Sequence, residues 1–350
     1  MSYVAIKGGT DAINASKRLF EKRIQPEKQL PEKDLLTTLP HSCDRIIAEG
    51  ALYSDALAVK ALLRSGGDLL EAAFYLRAHR STCRRAGIAK EINSDDIRIT
   101  RRISSAFKDI DGGQILGPSC DYIIRLFQVQ SSDGGKISDI AKTSVIRAPS
   151  ALNNLRDRDM VLLLENTEGE AVDVSRQFPL PPYPRSALMQ VMSRGETGSM
   201  LAFAYTSMRG YGDVHPTIGD LRTGMAAISF THPFTDGKVK IGEIRTTFCE
   251  TVGSFQRDPK DGKLRLSNGF GFCLGHNETR AISMSILDLA IHNQGYSMGG
   301  ADIAANPEII INHIDGIESM GFTNHFKLPH YVTFQADLHV LDKARSSCSD

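Results

Sequence analysis

Two imidazoles stand five positions apart in H-F-K-L-P-H-Y, residues 325–331. Neutral histidine nitrogen is a good ligand for zinc. At that spacing His325 and His330 cannot share a helix face, and on a straight strand they point to opposite sides. Pro329 disfavours helix through Leu328 and helps to turn the chain, and within a turn both rings can face one ion. Two ligands leave further coordination positions to water, substrate or a partner's side chains. Two surface or capping histidines would give the same pattern, and spacing alone favours that plainer reading.

A second segment, M-R-G-Y-G-D-V-H-P at 208–216, closes an expected helix. Gly210 and Gly212 let backbone N–H groups come close to a ligand, and Arg209 offers a planar fork for a phosphate or phosphonate. Tyr211 can stack on a base or sugar, and His215 can move a proton. A glycine-rich helix end followed by a proline turn accounts for the pattern as well. A third segment, at 101–118, combines Arg101, Arg102 and Lys108 with a Gly112-Gly113 loop that could cradle a polyphosphate. It lacks the G-x-x-x-x-G-K-[ST] spacing of a Walker A loop, and an exposed basic stretch beside a turn is the competing reading. The K-G-G-T turn at 7–10 would open a helix whose free N–H groups attract anions, although such turns are common.

Other features read as ordinary. N-G-F-G-F-C-L-G at 268–275 misses the dinucleotide fingerprint by one position, and no βαβ unit surrounds it. No serine or cysteine sits in a nucleophile elbow. His313, among Ile309, Ile310, Ile314 and Ile317, reads as a packed helix histidine, and His41 and His79 lie in ordinary helical contexts.

The elements that must position these groups fall into three stretches: a mainly helical part at 1–128, a polar insertion or linker at 129–183, and a mixed domain at 184–350. A short strand at 3–7 leads into a helix at 10–23. Ser54 is placed to cap one helix, which Gly66-Gly67 ends, and Asp68 with Glu71 makes a capping-box-like start for the next. Arg77, Arg80, Arg84 and Arg85 gather toward the end of that helix, where cations complement the dipole. R-I-T-R-R-I-S-S-A-F-K, at 98–108, alternates too irregularly to classify. The polar stretch holds one helix near 150–165. Beyond it, helices at 184–194 and 197–208 precede strands at 224–231, 238–250 and 269–274. Asn277 then caps a deeply buried helix to 292, a further helix runs 306–320, and a last element follows Pro329. With no repeat and no regular βαβ alternation, the class is α+β, with an antiparallel-type sheet in the C-terminal domain.

Composition narrows the field of functions. The 350 residues fit one large or two ordinary domains, and 41% apolar with 23% charged residues fits a folded globular chain. Lys+Arg and Asp+Glu number 41 each, so no whole-chain field draws nucleic acid or an anionic membrane. An anion site must be built locally. No stretch approaches the about 20 apolar residues needed to span a bilayer, and no signal-peptide core follows the start. Six scattered cysteines without a C-x-x-C pair read as reduced thiols, which places the chain in the cytoplasm.

Five segments together resemble one family. Y-V-A-I-K-G-G near the start, E-A-A-F-Y-L-R-A-H-R at 71–80, R-R-I-S-S-A-F-K-D-I-D-G-G-Q-I-L-G-P-S-C-D-Y at 101–122, A-Y-T-S-M-R-G-Y-G-D-V-H-P at 204–216 and H-F-K-L-P-H-Y-V-T-F-Q-A-D-L at 325–338 resemble PhnI of the carbon–phosphorus lyase system, in the family's order. The 129–183 stretch takes no part in the likeness. The resemblance implies a subunit that transfers ribose 5-triphosphate from ATP, with Mg, to methylphosphonate, giving α-D-ribose 1-methylphosphonate 5-triphosphate and adenine. It further implies a homodimer that assembles with PhnG, PhnH and PhnJ, and with the ABC-type proteins PhnK and PhnL. It places the family's zinc-binding histidines on His325 and His330, in a site shared with PhnJ. The mechanism expected beside it has Arg209 and the 210–212 backbone holding one anionic group, with Tyr211 stacking on the base or sugar. Arg101, Arg102, Lys108 and the Gly112-Gly113 loop hold the other, and His215 serves as acid for the leaving adenine. Two alternatives stay open: a purine nucleosidase in which water replaces phosphonate, and a mainly structural subunit.

Overall fold

Asp68 accepts hydrogen bonds from the backbone N–H groups of Leu70 and Glu71 at 2.9 and 3.2 Å, and Ser54 accepts one from Leu57 at 3.3 Å. Both side chains cap helices as their types suggest. The computed structural model describes residues 9–24, 31–119, 121, 147–162, 171–207, 215–292 and 303–347. Its N-terminal part is an array of α1 (Gly9–Ile24), α2 (Glu32–Thr38), α3 (Pro40–Gly50), α4 (Asp55–Arg64) and α5 (Leu69–Thr82). Gly66 and Gly67, at φ +65° and +95°, take the left-handed turn that ends α4. The array closes over Leu35, Ile46, Ile47, Val59, Leu62 and Leu76. Burial of each large aliphatic side chain there stabilises the fold by about 1.5–3 kcal/mol. The strand expected at 3–7 lies outside the described residues.

A four-stranded antiparallel sheet follows in the order β1 (Arg98–Ile103), β2 (Thr217–Thr231), β3 (Lys238–Arg257), β4 (Leu264–Leu274). β4 shows the cleanest period of two: Arg265, Ser267, Gly269, Gly271 and Cys273 are buried, and the residues between them only partly so. β1 occupies the stretch whose alternation is irregular, and a register shift between Ile99 and Arg101 is the cause. β2 begins before the expected strand because Asp220, Arg222 and Thr223, polar residues that argue against a covered strand, are buried there in paired form. Among the described residues of the polar stretch there is one short helix, α6 (Asn153–Asp157), which ends well before the limit of the helix expected near 150–165.

Next come α7 (Arg185–Arg194), α8 (Thr197–Thr206) and α9 (Glu278–His292), close to the expected bounds. α9 lies on β4 with almost no space between backbones. A Cβ on Gly269 would sit 2.0 Å from the Ser285 carbonyl oxygen, and one on Gly271 2.0 Å from that of Ala281. The glycines of N-G-F-G-F-C-L-G are thus the seat of a helix on a sheet. Met192, Met200, Met284, Leu287, Ile310 and Ile314 fill the core between α7, α8, α9 and α10 (Pro307–His313).

The helix expected at 306–320 is two helices, α10 and α11 (Gly316–His325), split at Asp315. The break is tertiary in origin. Arg77 holds the Asp315 carboxylate at 2.6 Å, and the Glu196 N–H donates to the Ile314 carbonyl at 2.9 Å. After a turn at 326–330, α12 (Tyr331–Ser347) is the last element among the described residues, with no residue buried. Helices in the N-terminal part and an antiparallel sheet make the fold α+β. No helix among the described residues is long and apolar enough to cross a membrane.

Candidate functional site

His325 is the last residue of α11, and His330 directly precedes α12. The Leu328 N–H donates to the His325 carbonyl at 3.0 Å, so the chain reverses around Pro329 and brings the rings together. Their Nε2 atoms are 3.1 Å apart and the ring planes cross at 83°. His330 Nδ1 lies 2.6 Å from the Leu328 carbonyl oxygen. A carbonyl only accepts, so Nδ1 carries the proton and Nε2 keeps its lone pair facing His325.

Two nitrogens bound to one tetrahedral zinc at about 2.0–2.1 Å lie about 3.3–3.4 Å from each other. The observed separation is close to that bite, and the tautomer of His330 is the one a metal needs. The pair therefore fits zinc as two of its ligands. Among the described residues no cluster of three or more His, Cys, Asp or Glu could hold a metal, so within them the pair has no third ligand.

The limb that carries the pair is anchored at its base and bare along its length. Arg77 on α5 donates to Asp315 at the start of α11, and also to the Glu49 and Arg194 carbonyls at 2.6 and 3.0 Å. Glu49, fully buried, accepts from Arg45 and from the Thr197 N–H and hydroxyl at 2.8, 2.9 and 2.6 Å. Arg280 on α9 donates to the Gly195 and Ser193 carbonyls that end α7, at 2.6 and 2.8 Å. Burial pushes the Arg280 guanidinium below the usual arginine range. This network ties α3, α5, α7, α8 and α9 to the root of α11. Farther out, Phe322, Phe326 and Phe334 are exposed at 64, 65 and 61%, with Leu328, Tyr331 and Val332 exposed beside them. Exposed apolar side chains grouped along one limb are the kind of surface on which another chain can dock.

The 101–118 segment is built differently from a simple open cradle. Arg102 is fully buried and grips buried Asp220 with two bonds, at 3.1 and 2.8 Å, while also donating to the Asp111 and Pro149 carbonyls. Arg101, 6% exposed, donates to Glu278 at 2.5 Å, to the Leu116 carbonyl at 2.6 Å and to Asp121. Both guanidiniums thus hold the loop in place. Gly112 and Gly113, at φ +83° and +74°, form its turn, and a Cβ on Gly112 would meet Ala148 at 2.8 Å and Arg102 at 3.3 Å. Lys108 is the segment's exposed cation.

His215 is exposed, two positions ahead of β2. Arg209, Gly210, Tyr211 and Gly212 lie outside the described residues, as do Lys7 and Gly8.

The sequence gives no local signal for another polar cluster. Asp44 accepts from Arg245 at 2.9 Å and from the His276 N–H at 3.0 Å, while Arg245 also binds Asp55 and lies over the Tyr53 ring. The Asp55 hydrogen bond raises Arg245 above the usual arginine range. His276, largely buried, is pushed toward its neutral form by desolvation, and its Nε2 has no hydrogen-bond partner among the described residues. Only the folded arrangement of α3, β3 and the turn before α9 brings these groups together.

Comparison with known proteins adds a family. The model of the bacterial phosphonate metabolism protein (PhnI) family matches residues 2–348. The chain is 34% identical to the alpha-D-ribose 1-methylphosphonate 5-triphosphate synthase subunit PhnI of Escherichia coli (strain K12), over 97% of this chain and 98% of that one. It is 33% identical to the protein of the same name from Rhizobium meliloti (strain 1021), over 98% and 95% of the two chains. It is also 40% identical, over 97% and 95%, to HtxH of Stutzerimonas stutzeri, whose name assigns it provisionally to a C-P lyase.

Proposed function

The chain belongs to the PhnI family of bacterial phosphonate metabolism proteins, and from that premise we propose that it is a subunit of a carbon–phosphorus lyase complex. Within the complex it serves the synthesis of α-D-ribose 1-methylphosphonate 5-triphosphate. The partners are PhnG, PhnH and PhnJ, with the ABC-type proteins PhnK and PhnL, and the chain pairs with a second copy of itself. The work is done in the cytoplasm, where ATP is at hand.

The observation that carries the complex-subunit reading is the His325–His330 pair. Two imidazole nitrogens 3.1 Å apart, on a limb whose aromatic surface is bare, are half of a site that another chain completes. Zinc bound there would supply a fixed positive charge and an open coordination position. This chain's part is to aim both Nε2 atoms at one point, with the Leu328 carbonyl setting the tautomer of His330.

The reaction breaks the bond between adenine and ribose C1′ and forms one from C1′ to a phosphonate oxygen. The sugar passes through an oxocarbenium-like state, as in glycoside cleavage. The protein must hold the triphosphate, aim the phosphonate and return a proton to adenine as it leaves. Arg209 with the 210–212 backbone binds one anionic end, and Tyr211 stacks on the base or sugar. Lys108 faces the other, on a loop that Arg101 and Arg102 hold from below. His215 protonates adenine. The test is adenine release from ATP with methylphosphonate by complexes carrying Arg209→Ala or His215→Ala. Loss of release with assembly intact is expected, and wild-type rates in both would defeat the assignment. Product analysis with and without methylphosphonate separates transfer from hydrolysis.

A further inference from the structure

The bite of the histidine pair is set locally, by Pro329 and the Leu328 hydrogen bond to His325. Its direction is not. From Gly321 to Ser347 every residue is exposed, and Ile317 is the one buried residue of α11. The direction in which the limb carries the pair is therefore decided in the first turn of α11. There the Glu196 N–H donates to the Ile314 carbonyl at 2.9 Å, and Arg77 donates to Asp315 at 2.6 Å. A Cβ on Gly316 would lie 3.1 Å from that of Glu196, so the backbone is seated closely at this point.

Asp315 stands at the N-cap of α11, where an aspartate ordinarily accepts from backbone N–H groups of the first turn. It makes no such bond. Asn306, in the same position on α10, accepts from the Glu308 and Ile309 N–H groups at 2.9 and 3.2 Å. The Asp315 carboxylate is turned to Arg77 instead, and its buried Oδ1 has no hydrogen-bond partner among the described residues. A cap residue that forgoes its own helix breaks a local rule, and such breaks gather at functional positions. Arg77 spends its remaining bonds on the body of the fold. Its Nη2 donates to the Glu49 and Arg194 carbonyls at 2.6 and 3.0 Å, and its Nε to the Glu49 carbonyl at 3.2 Å. A planar fork fixed at those points holds Asp315 in one place. Arg194 lies 3.7 Å from Asp315, outside hydrogen-bond distance, and does not share the task.

We infer that Arg77 is a positioning residue for the metal half-site: by clamping Asp315 it aims His325 and His330 at the ligands of a partner chain. The inference rests on the proposed reading of the pair as a shared zinc site. Leverage gives the scale. The ten residues of α11 span about 15 Å, so a swing of about 10° at its root moves the pair by about 2.6 Å. Metal–ligand distances tolerate only about 0.2 Å. A half-site on an unclamped limb would keep its bite and lose its aim. Arg77 lies in E-A-A-F-Y-L-R-A-H-R at 71–80, and the clamp gives that segment a task.

Zinc affinity, measured by competition with a chromogenic chelator in the assembled complex and in the isolated chain, tests the clamp. Arg77→Ala is expected to weaken zinc in the complex about tenfold or more. The weak binding of the isolated chain, which reports only the local bite, should stay the same. Arg77→Lys restores the charge without the fork and should rescue little. Asp315→Asn keeps an acceptor oxygen for Arg77 and should retain most of the affinity. The visible spectrum of the cobalt-substituted complex should change with Arg77→Ala, and Arg98→Ala, which breaks a surface pair with Glu243, should match wild type throughout. Thermal unfolding and sedimentation check folding and assembly. If Arg77→Ala fails either check, Arg77→Lys carries the same comparison. Zinc that depends on the histidines but is indifferent to Arg77 overturns the positioning role alone. Equal loss in complex and isolated chain overturns it too, because the defect would then lie in the pair itself. Full zinc in a complex carrying both His325→Ala and His330→Ala defeats the shared-site reading and this inference with it.

Discussion

His325 and His330 hold their Nε2 atoms 3.1 Å apart at the tip of a limb that no other described element covers. Two ligands rarely hold zinc by themselves, so the metal content should depend on assembly. Metal analysis of the purified complex should find zinc, and the isolated chain should lose it to a mild chelator. A complex carrying both His325→Ala and His330→Ala should lack zinc at this site. If that complex kept its full zinc, the pair would not be a metal site.

Arg102 and Asp220 form a two-bond ion pair with neither side chain exposed. Removing one partner strands a buried charge, which costs about 3–5 kcal/mol. Asp220→Ala should therefore lower the denaturant midpoint sharply and loosen the 104–117 loop, since Arg102 also holds the Asp111 and Pro149 carbonyls. A double change to apolar residues of similar volume should recover much of the loss. Equal stability of Asp220→Ala and wild type would show that the pair is not what fixes the loop.

How much of this was legible beforehand depends on the range of each interaction. Caps act over three or four residues, so Ser54, Asp68 and the Gly66-Gly67 turn announce their helices in the sequence. Pro329 likewise announces the turn that joins the histidines. Arg101 and Arg102 look like a free basic stretch because Glu278 and Asp220 lie 177 and 118 positions away. Arg77 looks like an ordinary helix-end cation for the same reason: Asp315, which it pins to split α10 from α11, is 238 positions on. Pairing at such distances leaves no local pattern, and buried charges in β2 resemble loop residues until their partners are known.

Gly271 lets α9 rest on β4, and a methyl there would meet the Ala281 carbonyl oxygen at 2.0 Å. Backbone cannot yield as a side-chain tip can, so Gly271→Ala should destabilise by about 1–3 kcal/mol or more through forced separation of helix and sheet. Gly262, at φ +71° with open space around its Cβ position, should cost only about 1 kcal/mol on the same change, from backbone strain alone. Denaturation of the two variants side by side checks the order. A Gly262→Ala loss larger than that of Gly271→Ala would argue against the close seat.

Cys249 and Cys273 face α9 from β3 and β4, and burial pushes their thiols up to about 12 and about 11, from an ordinary value of 9.0. The folded state thus keeps protons that the unfolded chain releases above about pH 9. Stability from this source is complete below that pH and is lost as pH rises toward the folded values, because the unfolded state then binds fewer protons. Equilibrium unfolding followed from pH 8 to pH 11 should show a progressive fall, and Cys249→Ala should flatten part of it. A thiol reagent at pH 8 should label exposed Cys83 readily and leave Cys249 and Cys273 untouched until the chain unfolds. Rapid labelling of either buried thiol in the folded chain would mean that α9 lifts from the sheet far more often than its glycine seat implies.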